Sequence, residues 1–218
     1  MTENGAVRLR HTSLRDQVLE VVRQAMVSGE IRPGDIYSAA ALATRLGVSS
    51  SPVREALLTL VNQGLMEPVR NRGYRVVAME EQDLDEIYEM RQLLEVPGTL
   101  SAAEKAGPAD LERLGDLAGE IERAADAGDV VGFLEADRRF HLALLSLAGN
   151  RRLLESIANL RDQTRLYGLE KLAESGRLTG AAGEHREILA AIAARDWDAL
   201  ENLMHEHLRH TRADWAAG

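Results

Sequence analysis

The 218-residue chain contains no cysteine, and several other features that mark particular protein classes are also missing. Without cysteine there can be no disulfide and no thiolate metal ligand, which agrees with a reducing compartment. No apolar run reaches the length of a membrane span and no secretory leader is visible, so we expect a cytoplasmic protein with no membrane partner. Phosphate-binding glycine loops, nucleotide fingerprints and a Ser-His-Asp pattern are also absent, which argues against an enzyme.

Charge is divided unevenly along the chain. The formal net charge is −9 at pH 7, from 26 Lys and Arg against 35 Asp and Glu. Residues 1 to 78 hold ten arginines, no lysine and seven acids, a net charge of +3, so residues 79 to 218 carry −12. Affinity for DNA depends on the cations that lie close to the DNA phosphates, and not on the net charge of the whole protein. The basic N-terminal part is therefore consistent with DNA binding. The alternative is that these arginines are ordinary solvent-exposed surface residues with no role in binding.

A helix-turn-helix is predicted over residues 33 to 65. The first helix covers Ala39 to Leu46, and Gly47 supplies the tight corner that follows it. In the second helix apolar residues recur at helical spacing, which leaves its N-terminal end exposed on the opposite face. That end would enter the major groove, where Arg54 can read guanine or hold a phosphate.

Two short strand-like runs after the second helix indicate a winged helix. They cover Leu65 to Val69 and Tyr74 to Val77, and the turn between them, Arg70 to Gly73, carries two arginines. Upstream, Ser13 to Ser28 has the apolar periodicity, the N-cap and the following glycine of a third helix. The predicted DNA contacts lie in these motifs: Arg45, Ser49, Ser50, Ser51, Arg54, Arg70, Arg72 and Gly73.

This segment resembles the GntR superfamily of bacterial transcription factors. The family pattern of PG, LA, lGVS, PVREAL and GL is met in order at Pro33-Gly34, Leu42-Ala43, Leu46 to Ser49, Pro52 to Leu57 and Gly64-Leu65. Two positions depart from it: Ser50 stands where many members carry a DNA-contacting Arg, and Ala40 stands where a Glu commonly precedes the first helix. The resemblance implies a winged helix-turn-helix DNA-binding domain over residues 1–78, and it carries a base contact over directly only to Arg54.

The remaining residues, 79–218, are predicted to form an all-α antiparallel bundle, which makes the chain mainly α. Apolar residues recur every three or four positions between Gly, Asn and Asp punctuation, and strand signals are absent. Pro97-Gly98 interrupts the first helix and predicts a kink or two shorter helices there. The predicted helices are Glu80 to Ala106, Pro108 to Ala127, Asp129 to Ala148, Arg151 to Glu174, Ala181 to Arg195 and Trp197 to Ala217.

Polar side chains lie on the apolar faces of three of these helices. Asp137 and His141 are one turn apart on one stripe, and His185 and His207 lie on the stripes of two later helices, whereas His205 falls off its stripe. Burying a carboxylate and three imidazoles costs free energy unless each finds a polar partner. One divalent cation bound by all four would provide that partner. The donors suit zinc by preference, and also nickel, manganese or iron. Core histidines hydrogen-bonded to backbone carbonyls are the alternative.

The bundle is similar to the ligand domain of the FadR-type branch of this superfamily, in its FCD group. Members carry Asp-x-x-x-His on one helix and single histidines on two later ones, matched here in EADRRFHLALLSLAGN, EHREILAAI and MHEHL. The resemblance implies a metal-binding, ligand-binding and dimerisation domain over residues 79–218. It also implies that Arg91 holds a ligand carboxylate bidentately, with an ion pair to Glu95 as the alternative. Arg161 and Arg165 are further candidates for the same pocket.

These observations predict a ligand-responsive transcription regulator, most often a repressor in the family that the chain resembles. A homodimer would place two recognition helices on half-sites of double-stranded operator DNA about one helical turn apart. A small organic acid, bound by the metal and Arg91, would change the spacing of the two DNA-binding heads. Two alternatives stay open: a metal-dependent enzyme, which would also want a general base beyond Asp137, and a regulator whose metal is purely structural.

Overall fold

The chain forms two compact units, Met1–Val77 and Ala78–Gly218. The computed structural model describes residues 13–164 and 178–215. Both units are built mainly from helices, as predicted, and the described strands form one small sheet in the first unit. Within the described ranges no helix has the length and apolar character needed to cross a membrane.

The first unit is a winged helix-turn-helix. Its third helix packs against the first two and buries Leu57 and Leu60 completely, as the helical spacing predicts. At the corner between the second and third helices Gly47 adopts a φ of 67°, a left-handed conformation that favours glycine. The elements are α1 (Leu14–Val27), β1 (Ile36–Tyr37), α2 (Ala39–Leu46), α3 (Ser50–Asn62), β2 (Met66–Val69) and β3 (Gly73–Val76).

The wing is a three-stranded antiparallel sheet in the order β1-β3-β2, in which Tyr37 pairs with Tyr74 and Glu67 with Arg75. Alternation along the sequence does not predict β1, because two residues are too few to show a period of two. At Gly73 the φ is 133°, and an added Cβ would lie 2.3 Å from the Tyr37 carbonyl oxygen. Glycine is therefore required where the wing turn meets β1.

The second unit is an all-α bundle, and its helices lie where the periodicity predicts them. Its largest core is centred on buried residues such as Phe140, Leu144 and Ile188. The parts of the predicted helices that run beyond residue 164 and beyond residue 215 lie outside the described residues. The described helices are α4 (Glu81–Ala103), α5 (Pro108–Asp126), α6 (Val130–Ser146), α7 (Arg151–Thr164), α8 (Leu178–Ala194) and α9 (Trp197–Trp215).

The helix α4 continues through Pro97-Gly98, so the alternative of two shorter helices is wrong. Proline removes the N–H that would bond the Leu93 carbonyl, but both residues are exposed, so water can take that place. Gly98 faces the interior, where an added Cβ would lie 3.0 Å from Leu145 Cδ2 and 3.1 Å from Leu153 Cδ2. The glycine thus allows α4 to approach α6 and α7 closely and keeps the polar residues of α4 near those helices.

Candidate functional site

The N-terminal end of α3 carries four of the residues predicted to contact DNA, of which Arg54 is the one predicted to read a base. Ser49, Ser51 and Arg54 are exposed, and Ser50 is half-buried. The hydroxyl of Ser51 donates to Glu55 Oε1 at 3.1 Å, which holds both side chains on the outer surface of the helix. Arg54 is thus placed for contact with a partner outside the unit, and its role in base contact stays a prediction.

The other predicted contacts lie in α2 and the wing. Arg45, in the last turn of α2, pairs with Glu30 at 2.5 Å while its side chain remains 56% exposed. Arg70 and Arg72 are exposed in the turn between β2 and β3, and Gly73 begins β3. The predicted set therefore divides into two groups, one near the corner of the helix-turn-helix and the other in the wing, and all its members are exposed except the half-buried Ser50 and Gly73.

In the second unit, four groups from three helices converge. The helix α6 supplies Asp137 and His141, α8 supplies His185 and α9 supplies His207, and one candidate ligand atom from each lies within 4.8 Å of the others. His185 Nε2 lies 3.1 Å from Asp137 Oδ1 and 3.2 Å from His141 Nε2. The three imidazoles are buried, and the Asp137 side chain is 18% exposed. The structure brings together all four residues predicted as metal ligands.

Hydrogen bonds on the far side of two rings determine which nitrogen can face the cluster. His185 Nδ1 donates to the Ala181 carbonyl oxygen at 3.1 Å, and His207 Nδ1 donates to Glu184 Oε2 at 2.7 Å. Both acceptors lack a proton to give, so in each neutral ring Nε2 holds the lone pair. The lone pair of His185 Nε2 then faces Asp137 Oδ1, which is unfavourable unless a metal cation or a proton lies between them. Donor types and tautomers fit a divalent metal.

Burial keeps two of these rings neutral. It lowers the pKa of His141 well below its ordinary value, and the positive charge of Arg161 acts in the same direction. Burial also lowers the pKa of His207, against the hydrogen bond to Glu184, which raises it. For Asp137 burial raises the pKa, but contacts with its histidine neighbours and Arg161 outweigh burial and hold the pKa well below its ordinary value. Neutral imidazoles and an ionised carboxylate are the states that bind metal.

Two buried arginines connect α4 and α7 to this cluster through Glu95. Arg91 Nε donates to Glu95 Oε1 at 2.5 Å. Arg161 donates to Glu95 Oε2 through Nε at 3.0 Å and also through Nη2, and its Nη1 donates to Asp137 Oδ2 at 3.0 Å. Burial raises the pKa of Glu95, but the charges of Arg161 and Arg91 outweigh burial and bring it to about 2. Glu95 is therefore an ionised carboxylate that pairs with two buried cations, and Asp137 supplies the second negative charge of this network.

Arg91 thus forms the intrahelical ion pair that was the alternative to its role as a ligand contact. Because Glu95 occupies Nε, a ligand carboxylate cannot take the Nε and Nη2 edge bidentately in this arrangement. The Nη2 atom is buried and has no hydrogen-bond partner among the described residues. The guanidinium lies over the ring of Trp215, 5.5 Å from its centroid. Arg161 contacts the cluster directly, and Arg165 lies outside the described residues.

Two carboxylates were not predicted as site residues: Glu95, which the sequence analysis names only as the alternative partner of Arg91, and Glu184. Glu95 is fully buried and lies one turn after Arg91, so the stripe of α4 could have revealed it as a site residue. Glu184 immediately precedes His185 and points to a different side of α8, where it contacts His207. Only the packing of α8 against α9 reveals that contact.

Both units match families of known proteins. Residues 14–76 match the gntR family of bacterial regulatory proteins, and residues 86–210 match the FCD domain. The HTH-type transcriptional regulator McbR of Escherichia coli K12 is 28% identical over 211 residues, which cover 96% of each chain. LutR of Bacillus subtilis 168, an HTH-type transcriptional regulator, is 32% identical and matches 83% of this chain and 91% of its own. The HTH-type transcriptional repressor GlaR of E. coli K12 is 29% identical, and the alignment covers 86% of this chain and 89% of GlaR.

The fold agrees with these matches. The solved structure of E. coli McbR/YncC has a TM-score of 0.83 and 29% identity, and the alignment covers 93% of this chain and 97% of that one. The FCD match alone spans more than half of the chain, and the gntR match covers the winged helix-turn-helix. The chain belongs to the GntR family of bacterial regulatory proteins, in the group with an FCD domain, and is a DNA-binding transcription regulator.

Proposed function

We propose that this regulator represses transcription as a homodimer on double-stranded operator DNA, and that a small organic acid bound at a metal site changes its DNA affinity. The observation that carries the proposal is the convergence of four metal-ligating groups, with the Nε2 lone pairs of His185 and His207 available to the cluster. The name of the relative GlaR, a transcriptional repressor, supports repression as the direction of regulation.

The metal, zinc by preference, would be held by Asp137, His141, His185 and His207. Such an ion supplies a positive centre to which a carboxylate oxygen can bind when coordination positions remain open. The chain's own contribution is to hold the ligands in place: the Ala181 carbonyl orients His185, and Arg161 orients Asp137. These outer contacts keep the donor atoms directed toward one point before any ion binds.

The charges around the cluster favour an anionic effector. Arg91 and Arg161 balance Glu95 and Asp137, and Glu184 beside His207 offsets only part of the charge of a divalent cation, so positive charge remains at the site. A small carboxylate would offset part of it. The free Nη2 of Arg91 is a buried donor that we assign to the effector, whereas Arg161 acts through its contacts with Glu95 and Asp137.

DNA binding is assigned to the exposed groups of the first unit. Arg54 would contact a base, while the wing residues Arg70 and Arg72 would contact phosphates, which position the protein without reading sequence. Ser50 replaces an arginine of the family pattern, so base readout at that position would be weaker than in many members. Two copies related by a two-fold axis would read a short pseudo-palindrome.

A metal-dependent enzyme receives less support from the same residues. A general base has to accept a proton near neutral pH. Glu95 is held by two arginines and its pKa is about 2, which makes it a poor base. Both oxygens of Glu184 already accept hydrogen bonds from histidines. Catalytic turnover of a substrate by the purified metal-loaded protein would support this alternative.

A thermal-shift screen of small carboxylates, with and without added zinc, tests the proposed effector. We expect the cognate acid to raise the Tm of the metal-loaded protein and to have no effect after chelation. In fluorescence anisotropy with operator DNA, the acid should change DNA affinity by about 1–3 kcal/mol, and DNA should change acid affinity by the same factor. Arg91→Ala should weaken binding of the acid without loss of the bound metal.

The outcomes separate the alternatives. If the protein binds zinc and no acid in the screen changes its DNA affinity, the metal is structural and the effector proposal fails. If the acid binds Arg91→Ala as tightly as wild type, the assignment of Arg91 is wrong. Sedimentation analysis of the full chain tests the dimer, and a monomer on operator DNA would contradict it.

A further inference from the structure

Glu184 joins α8 to α9 directly behind a candidate metal ligand. Its Oε2 accepts a hydrogen bond from His207 Nδ1 at 2.7 Å, and its Oε1 accepts one from His210 Nδ1 at 2.6 Å. Neighbouring residues on a helix point about 100° apart, so Glu184 can face α9 while His185 faces the cluster. A single carboxylate thus binds two histidines that lie one turn apart on α9.

His210 donates the second hydrogen bond that holds this carboxylate. Arg209 Nη2 lies 3.0 Å from His210 Nε2. A guanidinium only donates hydrogen bonds, so in this contact His210 Nε2 is the acceptor, while Nδ1 donates to Glu184. Glu184 is therefore held from the His210 side, and its other oxygen remains in contact with His207.

The three candidate imidazole ligands differ in what their outer nitrogen contacts. His185 donates to the neutral carbonyl of Ala181. His141 Nδ1 is buried and has no hydrogen-bond partner among the described residues. Of the three, His207 is the one that donates to a carboxylate. A charged acceptor makes a stronger hydrogen bond and increases the basicity of the ring, so Nε2 of His207 becomes a better metal ligand.

We propose that Glu184 is a positioning residue that fixes the tautomer and orientation of His207 and strengthens it as a metal ligand. This inference rests on the metal site proposed above. Without the carboxylate, His207 can move its proton to Nε2 or turn away from the cluster, and either change removes the lone pair that the metal requires. Loss of such an outer contact typically lowers metal affinity about 10–100-fold.

The test compares the full-length variants Glu184→Ala and Glu184→Gln with Glu187→Ala, which alters an exposed glutamate on the same helix. Affinity for Zn²⁺ alone is measured by competition with a chromophoric chelator. Glu184→Ala should bind zinc about 10–100-fold more weakly than wild type, and Glu187→Ala should bind as wild type does. Glu184→Gln should lie between them, because its amide oxygen can accept the Nδ1 proton but carries no charge.

A second measurement separates this role from general stability. In metal-free protein the ¹⁵N chemical shifts of the His207 ring should report a proton on Nδ1 in wild type and a mixture of tautomers in Glu184→Ala. Circular dichroism checks that each variant is folded. If Glu184→Ala does not fold, Glu184→Gln and His210→Ala carry the test, and both should weaken zinc binding.

The outcomes distinguish this inference from the metal site itself. If wild type binds no zinc, the metal site fails and the inference fails with it. If wild type binds zinc, His207→Ala loses it and Glu184→Ala binds as tightly as Glu187→Ala, only the role of Glu184 is overturned. Equal zinc affinity of Glu184→Gln and wild type would overturn the contribution of charge.

Discussion

The two units of this regulator present their candidate sites in opposite ways. In the first unit Arg54, Arg70 and Arg72 are exposed, whereas in the second unit Glu95 and His185 are fully buried and contact other polar side chains. An exposed cation needs no protein partner to remain stable, but a buried polar group does. The proposed DNA contacts are therefore separable from one another and from folding, while the proposed metal and effector residues depend on each other.

Loss of a metal ligand is the largest effect that this contrast predicts. His185→Ala removes a buried donor and leaves the remaining ligands partly unsatisfied, so zinc should be lost entirely after dialysis. His205→Ala is the matched control, because His205 is exposed on α9 and hydrogen-bonds Gln92 instead. Metal analysis of both proteins decides the matter. Retention of zinc by His185→Ala, or its loss in His205→Ala, would contradict the site.

The next effect concerns the buried charge network. Glu95→Ala leaves Arg91 and Arg161 buried without their shared counter-charge, so we expect the free energy of unfolding to fall by about 3–5 kcal/mol. Glu89→Ala, at an exposed position of the same helix, should have little effect. Urea unfolding of the metal-free proteins measures the difference. A loss for Glu95→Ala no greater than for Glu89→Ala would show that the network is dispensable.

The same network sets a pH dependence. The pKa of Glu95 is about 2 in the folded chain, below its ordinary value of 4.5, because Arg161 and Arg91 outweigh burial. A depressed pKa contributes stability that is fully present above the ordinary value and is lost as the pH falls from about 4.5 to about 2. The stability gap between wild type and Glu95→Gln should thus be largest near neutral pH and shrink over this range. A gap independent of pH would argue against an ionised Glu95.

Part of the candidate metal site could be predicted because its residues are encoded locally. Asp137, His141, His185 and His207 each lie on the apolar stripe of their own helix, and periodicity alone places such residues inward. Periodicity does not reveal which residue of another helix a side chain contacts. The contact of Glu184 depends on how α8 packs on α9, which no single-helix pattern encodes.

The fold shows the same division between local and non-local information. Helices and the two longer wing strands follow from periodicity and turn residues, whereas the short strand Ile36–Tyr37 forms only because β3 is available to pair with it. The expected alternative of a broken α4 failed since Pro97 lies on an exposed side of the helix. Arg91 illustrates the limit: its stripe predicts burial, but not whether Glu95 or an effector takes its Nε.

Arg54→Ala tests whether an exposed candidate residue of the first unit can be removed without effect on folding or on the metal site. If Arg54 contacts a base, operator affinity should fall by about 1–3 kcal/mol while the free energy of unfolding and the zinc content stay the same. Arg113→Ala removes an exposed arginine from the second unit and serves as the control for charge alone. Anisotropy titrations at moderate salt measure the affinities. Wild-type affinity in Arg54→Ala would remove this residue from the interface.

The smallest effect is expected in the wing. Arg70 and Arg72 are exposed in a turn, and as phosphate contacts they would act on any DNA sequence and release counterions. The double variant Arg70→Ala/Arg72→Ala should lower the slope of log K against log salt by about 0.9 for each phosphate that is no longer neutralised, equally on operator and unrelated DNA. An unchanged slope would exclude these phosphate contacts. A change confined to operator DNA would instead indicate base readout by the wing, because only base contacts distinguish the two sequences.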